Sequence, residues 1–184
     1  MSKAPALSFR PVTRSLWADL EKLFSSPGGP KNCWCMIRRA TPQEGRRTTG
    51  PVRKAQMRTR VAKNVPVGLI GYDSDEPAAW VSIAPRPTYR RLGGPPDEPG
   101  DVVWSLACMF VRRALRGRGL AHQLIDAAVA HARSRGATTV EAYPVAPDAP
   151  SYRFMGFVPA FEAAGFAFVE MAGTRRHVMR KQLD

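Results

Sequence analysis

Residues 102–121 of the chain have the sequence VVWSLACMFVRRALRGRGLA. Residues 102–111 are nearly all apolar, which predicts a central strand buried on both faces of a sheet. The basic segment that follows contains Gly117 and Gly119, and apolar residues then recur at helical spacing from Leu120 to Ala132. A buried strand, a basic glycine-containing turn and an amphipathic helix therefore follow one another directly.

This order directs the free backbone N–H groups of a helix N-terminus at whatever lies above the turn. Gly117 and Gly119 let the backbone approach a ligand closely because they lack a Cβ atom. Arg116 and Arg118 add positive charge, so the segment 116–121 is predicted to bind a pyrophosphate. It contains neither Gly-x-Gly-x-x-Gly nor Gly-Lys-Ser/Thr, which excludes Rossmann and P-loop sites.

The rest of the chain predicts further strands and helices without an internal repeat or a domain boundary. On the N-terminal side we predict a strand at 8–12, a helix capped by Thr13 and ending near Phe24, a helix at 51–63 and a hairpin of 67–72 with 77–84. On the C-terminal side we predict a strand at 138–143, a helix at 159–164 and a hairpin of 166–171 with 177–182. We therefore predict one mixed α/β domain over residues 1–184.

Charge and hydropathy limit the partners. The formal net charge is +13, from 28 Lys+Arg against 15 Asp+Glu, which suits nucleic acid, an anionic membrane surface or a polyanionic small molecule. The arginines are scattered in short pairs such as Arg38-Arg39 and Arg175-Arg176, which favours a solvated surface, so nucleic acid is the less favoured partner. No secretory signal and no apolar run of membrane-spanning length is visible, and we expect a cytoplasmic protein without a membrane partner.

The three cysteines do not predict a disulfide framework. Their number is odd, and Cys33 and Cys35 are separated only by Trp34. A zinc site would need a second ligand pair at suitable spacing, which Cys108 and the scattered histidines do not supply. We therefore expect no metal.

The pattern Arg116-x-x-Gly119-x-Ala121, placed after a central strand and at the start of a helix, resembles the Gln/Arg-x-x-Gly-x-Gly/Ala signature of the GNAT N-acetyltransferase superfamily. The sequence FEAAGF at 161–166 is similar to the end of that family's last helix. The predicted order of elements also resembles the family over the whole chain. The run Cys33-Trp34-Cys35-Met36, with residues 80–86, looks like an uncharacterised bacterial subgroup.

This resemblance implies acetyl-CoA as co-substrate and a mixed, splayed β-sheet flanked by helices. The central strand and the strand at 138–143 would separate, and the pantetheine arm would lie between them like an added strand. Met109, Phe110 and Val111 would contact the pantetheine and acetyl group, and a backbone N–H near Met109–Phe110 would stabilise the oxyanion. The cofactor pyrophosphate would bind Arg116, Gly117, Arg118, Gly119, Leu120 and Ala121.

The acid that protonates the leaving thiolate cannot be transferred from the family. Many members have a tyrosine four residues before the Gly-Phe pair, where this chain has Phe161. Tyr152 is the first candidate to replace it, with Tyr143 or a water molecule as alternatives. Tyr152 is equally compatible with a packed loop aromatic.

The identity of the general base depends on Glu141, the carboxylate of the second splayed strand. Two interpretations of this residue remain open. In apolar surroundings its pKa would be raised and it would act as the base. As an outward-facing residue it would instead pair with a surface arginine. Ser105 and Cys108 are predicted on opposite faces of the central strand, and covalent catalysis by Cys108 would need an adjacent base that the sequence does not show.

We therefore expect an acetyl-CoA-dependent N-acetyltransferase that acts on a primary amine of a small molecule or protein. The amine would attack directly in a ternary complex, and the protein would be a monomer or homodimer. The alternative is a basic nucleic-acid-associated or regulatory CoA-binding domain without acyl transfer. The acceptor is expected to contact the first two helices, residues 33–36 and the Arg-rich loop 85–100, which do not identify it.

Overall fold

The structure is a computed structural model that describes residues 5–46 and 48–184. In this part of the chain a seven-stranded sheet has the order β1-β2-β3-β4-β5-β7-β6. The strands are β1 (Ser8–Pro11), β2 (Leu69–Asp73), β3 (Glu76–Pro85), β4 (Val103–Val111), β5 (Thr139–Ala142), β6 (Ala167–Ala172) and β7 (Arg176–Gln182). The helices are α1 (Trp17–Phe24), α2 (Gly50–Ala62), α3 (Leu120–Ser134) and α4 (Val158–Ala163).

The sheet is mixed, because β4 and β5 are parallel while the other neighbouring strands are antiparallel. This confirms the predicted mixed sheet flanked by helices. No helix in the described ranges is both long and apolar enough to cross a membrane.

Helices cover both faces of the sheet. On one face, Leu124 and Ile125 of α3 are fully buried in a core that includes Val81 of β3. On the other face, Phe24 of α1 packs in a core that includes Trp80, the neighbouring residue of β3. Each such large apolar side chain contributes about 1.5–3 kcal/mol by leaving water, so the two cores hold β3 and β4 rigidly at the centre.

A β-bulge in β4 changes which of its side chains share a face. Ser82 lies opposite Cys108 and Ala84 lies opposite Ser105, so β4 holds one residue more than β3 between these pairs. Ser82 and Ala84 share a face of β3, and Cys108 and Ser105 therefore share a face of β4. The prediction that Ser105 and Cys108 lie on opposite faces was wrong, because strict alternation does not allow for the extra residue, Ala107.

The start of α1 also differs from the prediction. Thr13 precedes a 3-10 turn at Arg14–Leu16, and α1 begins only at Trp17. The Thr13 hydroxyl lies 2.9 Å from Oγ of Ser15 and makes no hydrogen bond to the helix backbone. The predicted cap was wrong because this hydroxyl pairs with a neighbouring side chain instead.

Candidate active site between strands β4 and β5

Strands β4 and β5 separate after a short paired stretch. Their register runs from Val103 opposite Thr139 to Leu106 opposite Ala142, where β5 ends, while β4 continues to Val111. Beyond Leu106 the β5-facing edge of β4 has no strand partner in the described part of the chain. A cleft of about 700 Å³ opens there, and its lining includes residues 107–111. Such an unpaired strand edge can bind an extended ligand through its backbone.

The N-terminus of α3 follows β4 at one end of this cleft. Gly119 is the N-cap residue with φ 74°, and Gly117 has φ 75°, a left-handed conformation that favours glycine. Among the described residues no side chain caps the helix, so its first N–H groups remain available to a ligand. A Cβ atom at either glycine would meet nothing within 4 Å. The segment predicted to bind an anion therefore combines free donors with open space.

Arg116 lies along the wall of the cleft. Its Nε donates a 2.9 Å hydrogen bond to the carbonyl oxygen of Val111, and its guanidinium carbon is 5.6 Å from the centre of the Phe110 ring. Arg118 is exposed beside it. Both arginines place positive charge near the free N–H groups of α3, as an anion site requires.

Met109, Phe110 and Val111 all line the cleft, as predicted for residues that contact the pantetheine. The side chain of Met109 packs tightly against the backbone just before α4. If Gly156 carried a Cβ atom, that atom would lie 2.5 Å from Cε of Met109. The same atom would lie 2.7 Å from Phe161, which is fully buried. Phe161, four residues before the Gly165-Phe166 pair, is thus an apolar core residue in this chain.

Glu141 is fully buried and not among the residues lining the cleft. Its Oε2 accepts a 2.7 Å hydrogen bond from Nε of Arg180, and its Oε1 lies 3.6 Å from Nε of Arg86. Oε1 also accepts a 2.6 Å hydrogen bond from the hydroxyl of Tyr143, which is 2.9 Å from Oγ of Ser105. Burial and the nearby carboxylate raise the pKa of Tyr143. Glu141 therefore pairs with arginines, but it does so inside the protein. It does not occupy an outward-facing position.

The loop between β3 and β4 packs over this carboxylate. A Cβ atom at Gly94 would lie 2.3 Å from Oε2 of Glu141, so only glycine fits there. Arg86 donates to the Pro95 carbonyl oxygen at 2.8 Å and to Asp97 at 2.7 Å. The buried cluster around Glu141 thus holds residues 93–97 in place.

Tyr152 lies beside the cleft. It is half-buried, has φ 60°, and is followed by Arg153 and Phe154, which both line the cleft. The guanidinium carbons of Arg38 and Arg176 lie 5.3 Å and 5.5 Å from the centre of its ring. The structure thus brings Tyr152 beside the cleft, whereas Glu141, opposite Ser105 of β4, is not among the described residues that line the cleft.

Arg39 is a buried charge that the sequence did not reveal. It is only 3% exposed, and its Nη2 donates to the Val67 carbonyl oxygen at 2.6 Å and to the hydroxyls of Ser82 and Tyr89 at 2.7 Å each. It forms no salt bridge within residues 5–46 and 48–184. The prediction of solvated surface arginines was wrong here, because nothing in the pair Arg38-Arg39 distinguishes it from the exposed pairs.

The three cysteines converge on the cleft, which the sequence also did not reveal. Cys33, Cys35 and Cys108 all line it, and Sγ of Cys35 accepts a 3.1 Å hydrogen bond from the indole of Trp80. Hydrogen bonding to Cys35 and burial raise the pKa of Cys33, and hydrogen bonding to Cys108 and burial raise that of Cys35. Both groups are therefore thiols, and not thiolate nucleophiles, near neutral pH. They form no metal-binding group with any other described residue.

Comparison with known proteins identifies a family. A family model described as the acetyltransferase (GNAT) family matches residues 33–157, which is more than half of the chain. The match spans both separated strands and the start of α3. No protein with a curated description matches the chain.

Solved structures with the same fold cover nearly the whole chain. The yncA protein of Salmonella typhimurium, solved with its cofactor acetyl-CoA, is 16% identical with a TM-score of 0.57, over 97% of this chain and 95% of its own. The ribosomal-protein-alanine N-acetyltransferase of Brucella melitensis is 17% identical with a TM-score of 0.57, over 96% and 100%. An uncharacterized Bacillus halodurans protein is 16% identical with a TM-score of 0.62, over 96% and 83%. At these identities the likeness shows the fold.

Proposed function

Because this chain belongs to the GNAT acetyltransferase family, we propose that it transfers the acetyl group of acetyl-CoA to a primary amine of a small molecule or protein. The observation that carries the proposal is the cleft along the unpaired edge of β4, beyond the end of β5, whose lining reaches Arg116, three residues before the uncapped N-cap residue of α3. A long, thin ligand with an anionic end fits both features. The Salmonella yncA protein, which has this fold, was solved with acetyl-CoA.

Within the cleft we assign the pyrophosphate to the backbone N–H groups of residues 116–121. Gly117 and Gly119 provide the close approach, and Arg116 and Arg118 the positive charge. The pantetheine arm then lies along the unpaired edge of β4, in contact with Met109, Phe110 and Val111. This direction points the acyl end of the cofactor towards the place where β4 and β5 separate, so the thioester lies beside Met109.

The chemistry requires a donor for the oxyanion and a proton for the departing thiolate. A β4 backbone N–H near Met109–Phe110 faces the cleft and serves as the donor. When the neutral amine attacks the thioester carbonyl carbon, a C–N bond forms and the C–S bond breaks. The thiolate takes a proton from the hydroxyl of Tyr152, and the nitrogen releases one to water.

Among the described residues, the lining of the cleft contains no Asp, Glu or His that could act as a base. Glu141, the base proposed from the sequence, has both oxygens engaged and is sealed by the loop at Gly94. These contacts support a positioning role for Glu141, in which it holds Tyr143 and the loop. The positive charge of the cleft lowers the pKa of a bound amine, so the amine can bind in its neutral form.

Release of free CoA thiol from acetyl-CoA, followed across a panel of primary amines with a thiol-reactive dye, tests the proposal. We expect amine-dependent release and a product that carries the acetyl group on nitrogen. If acetyl-CoA at millimolar concentration neither binds nor is consumed, the proposal fails. Salt-sensitive binding to RNA or DNA without thiol release would favour the regulatory alternative.

A further inference from the structure

The part of the cleft lined by residues 37–38 and 153–154 carries a group of arginines that have no acidic partner among the described residues. Arg38 and Arg153 line the cleft, and the guanidinium carbons of Arg38 and Arg176 lie 5.3 Å and 5.5 Å from the centre of the Tyr152 ring. None of these arginines forms a salt bridge with a described residue. Nε of Arg38 is also buried without a hydrogen-bond partner in the described chain. Arg153 donates to the carbonyl oxygens of Pro147 and Ala149, and Arg176 to that of Leu92, so their charges are left without a carboxylate partner. Guanidinium groups in a cleft that lack a carboxylate partner are binding sites for carboxylates and phosphates.

These charges lie apart from the segment assigned to the pyrophosphate. Tyr152 packs against a cluster that contains Ala107, whereas Arg116 contacts Val111, four residues further along β4. At the rise of a strand this separation is about 13 Å. Arg38 and Arg176 therefore belong to the thioester end, where the acceptor must bind.

Two further observations point to an anion at this end. Arg39 lies directly behind the wall, because its guanidinium donates to Ser82, which lines the cleft. Its buried charge is balanced by no carboxylate within the described residues. The guanidinium carbons of Arg38 and Arg176 both lie within 5.5 Å of the centre of the Tyr152 ring, so their charges repel each other. Partial burial and the charge of Arg38 accordingly lower the pKa of Arg176. A bound anion would relieve that repulsion.

Apolar surface borders the arginines. Ile37 is 47% exposed and Phe154 is 44% exposed, and both line the cleft beside Arg38 and Arg153. Large apolar side chains exposed next to unpaired cations suit a ligand with an apolar part and an anionic group. A polycationic amine would instead be repelled, since no acidic residue lines the cleft.

We propose that the acetyl acceptor is an amine that also carries an anionic group, a carboxylate or a phosphate, which binds between Arg38 and Arg176 beside Tyr152. Phe154 and Ile37 contact its apolar part. This inference rests on the proposed acetyltransferase function and names the class of its acceptor. The arginines are specificity-determining residues that position the amine at the thioester.

The test compares acceptors in matched pairs in the thiol-release assay. Phenylalanine is paired with phenylalaninamide, and phosphoethanolamine with ethanolamine, with spermidine as the polycation. We expect kcat/KM to be at least about tenfold higher for the anionic member of one pair, and no turnover of spermidine. The pair that shows the difference distinguishes a carboxylate from a phosphate.

Variants locate the effect. Arg38→Gln and Arg176→Gln should remove the preference for the anionic acceptor mainly through KM, while Arg38→Lys restores part of it. Acetyl-CoA affinity should stay unchanged. The control is Arg14→Gln, which alters an exposed arginine on the 3-10 turn before α1. It should change neither the preference for the anionic acceptor nor the affinity for acetyl-CoA.

The outcomes separate the two proposals. The anion site is refuted, while the acetyltransferase stands, if acetyl-CoA is consumed equally with the charged and uncharged members of both pairs. It is also refuted if the Arg38 and Arg176 variants lower kcat/KM equally for the charged and the uncharged acceptors. If acetyl-CoA binds but no anionic acceptor is used, the anion site is likewise refuted. If acetyl-CoA neither binds nor is consumed, the proposed function itself fails, and the acceptor class fails with it.

Discussion

The hydroxyl of Tyr143 donates a 2.6 Å hydrogen bond to Oε1 of Glu141, inside the protein and away from the cleft. The other oxygen of Glu141 accepts from Arg180, and Arg86 lies 3.6 Å from Oε1. Glu141→Gln would leave these two arginines, which are 12% and 17% exposed in their side chains, without their buried counter-charge. We expect it to lower the free energy of unfolding by about 3–5 kcal/mol, measured by urea denaturation.

The matched control for that variant is Glu76→Gln. Glu76 pairs with Lys22 at 2.7 Å, but the two side chains are 58% and 59% exposed. Solvent screens such an exposed pair, which therefore contributes little to stability, so this variant should be nearly neutral. A Glu141→Gln protein with unchanged stability and abolished turnover would instead support the general-base role proposed from the sequence.

Glu44 should make stability depend on acid pH. Hydrogen bonds from Arg60 lower the pKa of Glu44 from 4.5 to about 2. Because the folded-state pKa is below the unfolded one, the contribution of the ionised carboxylate is complete above about pH 4.5 and is lost as the pH falls towards 2. Because solvent screens this partly exposed pair, the cost of Glu44→Gln is smaller than the full shift would give: we expect about 2 kcal/mol at pH 7 and almost nothing near pH 2, by denaturant titration at both pH values. An equal cost at the two pH values would contradict this.

Tyr152→Phe tests the acid proposed for the leaving thiolate. Removal of a general acid typically lowers the rate about 100-fold or more, and we expect that loss in kcat without a change in acetyl-CoA affinity or melting temperature. Tyr143→Phe is the control, since its hydroxyl is engaged with Glu141 and Ser105. A normal kcat for Tyr152→Phe would assign the proton to water, and a loss confined to Tyr143→Phe would assign it to Tyr143.

The cysteines should not carry the acetyl group. Burial and thiol neighbours raise the pKa of Cys33 and Cys35, and no histidine or carboxylate lines the cleft to deprotonate Cys108. Cys108→Ala should therefore retain most of its turnover. Intact-protein mass spectrometry after incubation with acetyl-CoA alone should show no acetylated enzyme, and a stoichiometric adduct that disappears in Cys108→Ala would overturn direct transfer.

The elements of this fold could be predicted because each rests on local periodicity. The apolar run at 102–111 and the stripe from Leu120 to Ala132 correspond to β4 and α3 within one or two residues. The backbone conformation of the turn at Gly117 and Gly119 could also be predicted, because two glycines at this spacing indicate the positive φ angles that the structure shows. The local backbone of the candidate anion site was therefore predictable, whereas its binding of a pyrophosphate stays a prediction.

What could not be predicted depends on contacts between distant segments. The bulge at Ala107 is visible only when β4 is aligned with β3, and it determines that Cys108 shares a face with Ser105. Arg39 is buried because Ser82 and Tyr89 meet it across the fold. The partners of Glu141 come from the β3–β4 loop and from β7. None of these contacts leaves a pattern in the sequence near the residue concerned.

The measurement that tests the central claim most directly is calorimetric titration of acetyl-CoA into the protein and into two glycine variants. Gly119→Ala and Gly136→Ala lie at opposite ends of α3, at φ 74° and 81°, and neither new Cβ atom meets a neighbour within 4 Å. Each should cost about 1 kcal/mol of stability. We predict that only Gly119→Ala weakens acetyl-CoA binding, by about tenfold. Equal affinity of both variants, or no binding by the unaltered protein, would contradict the account.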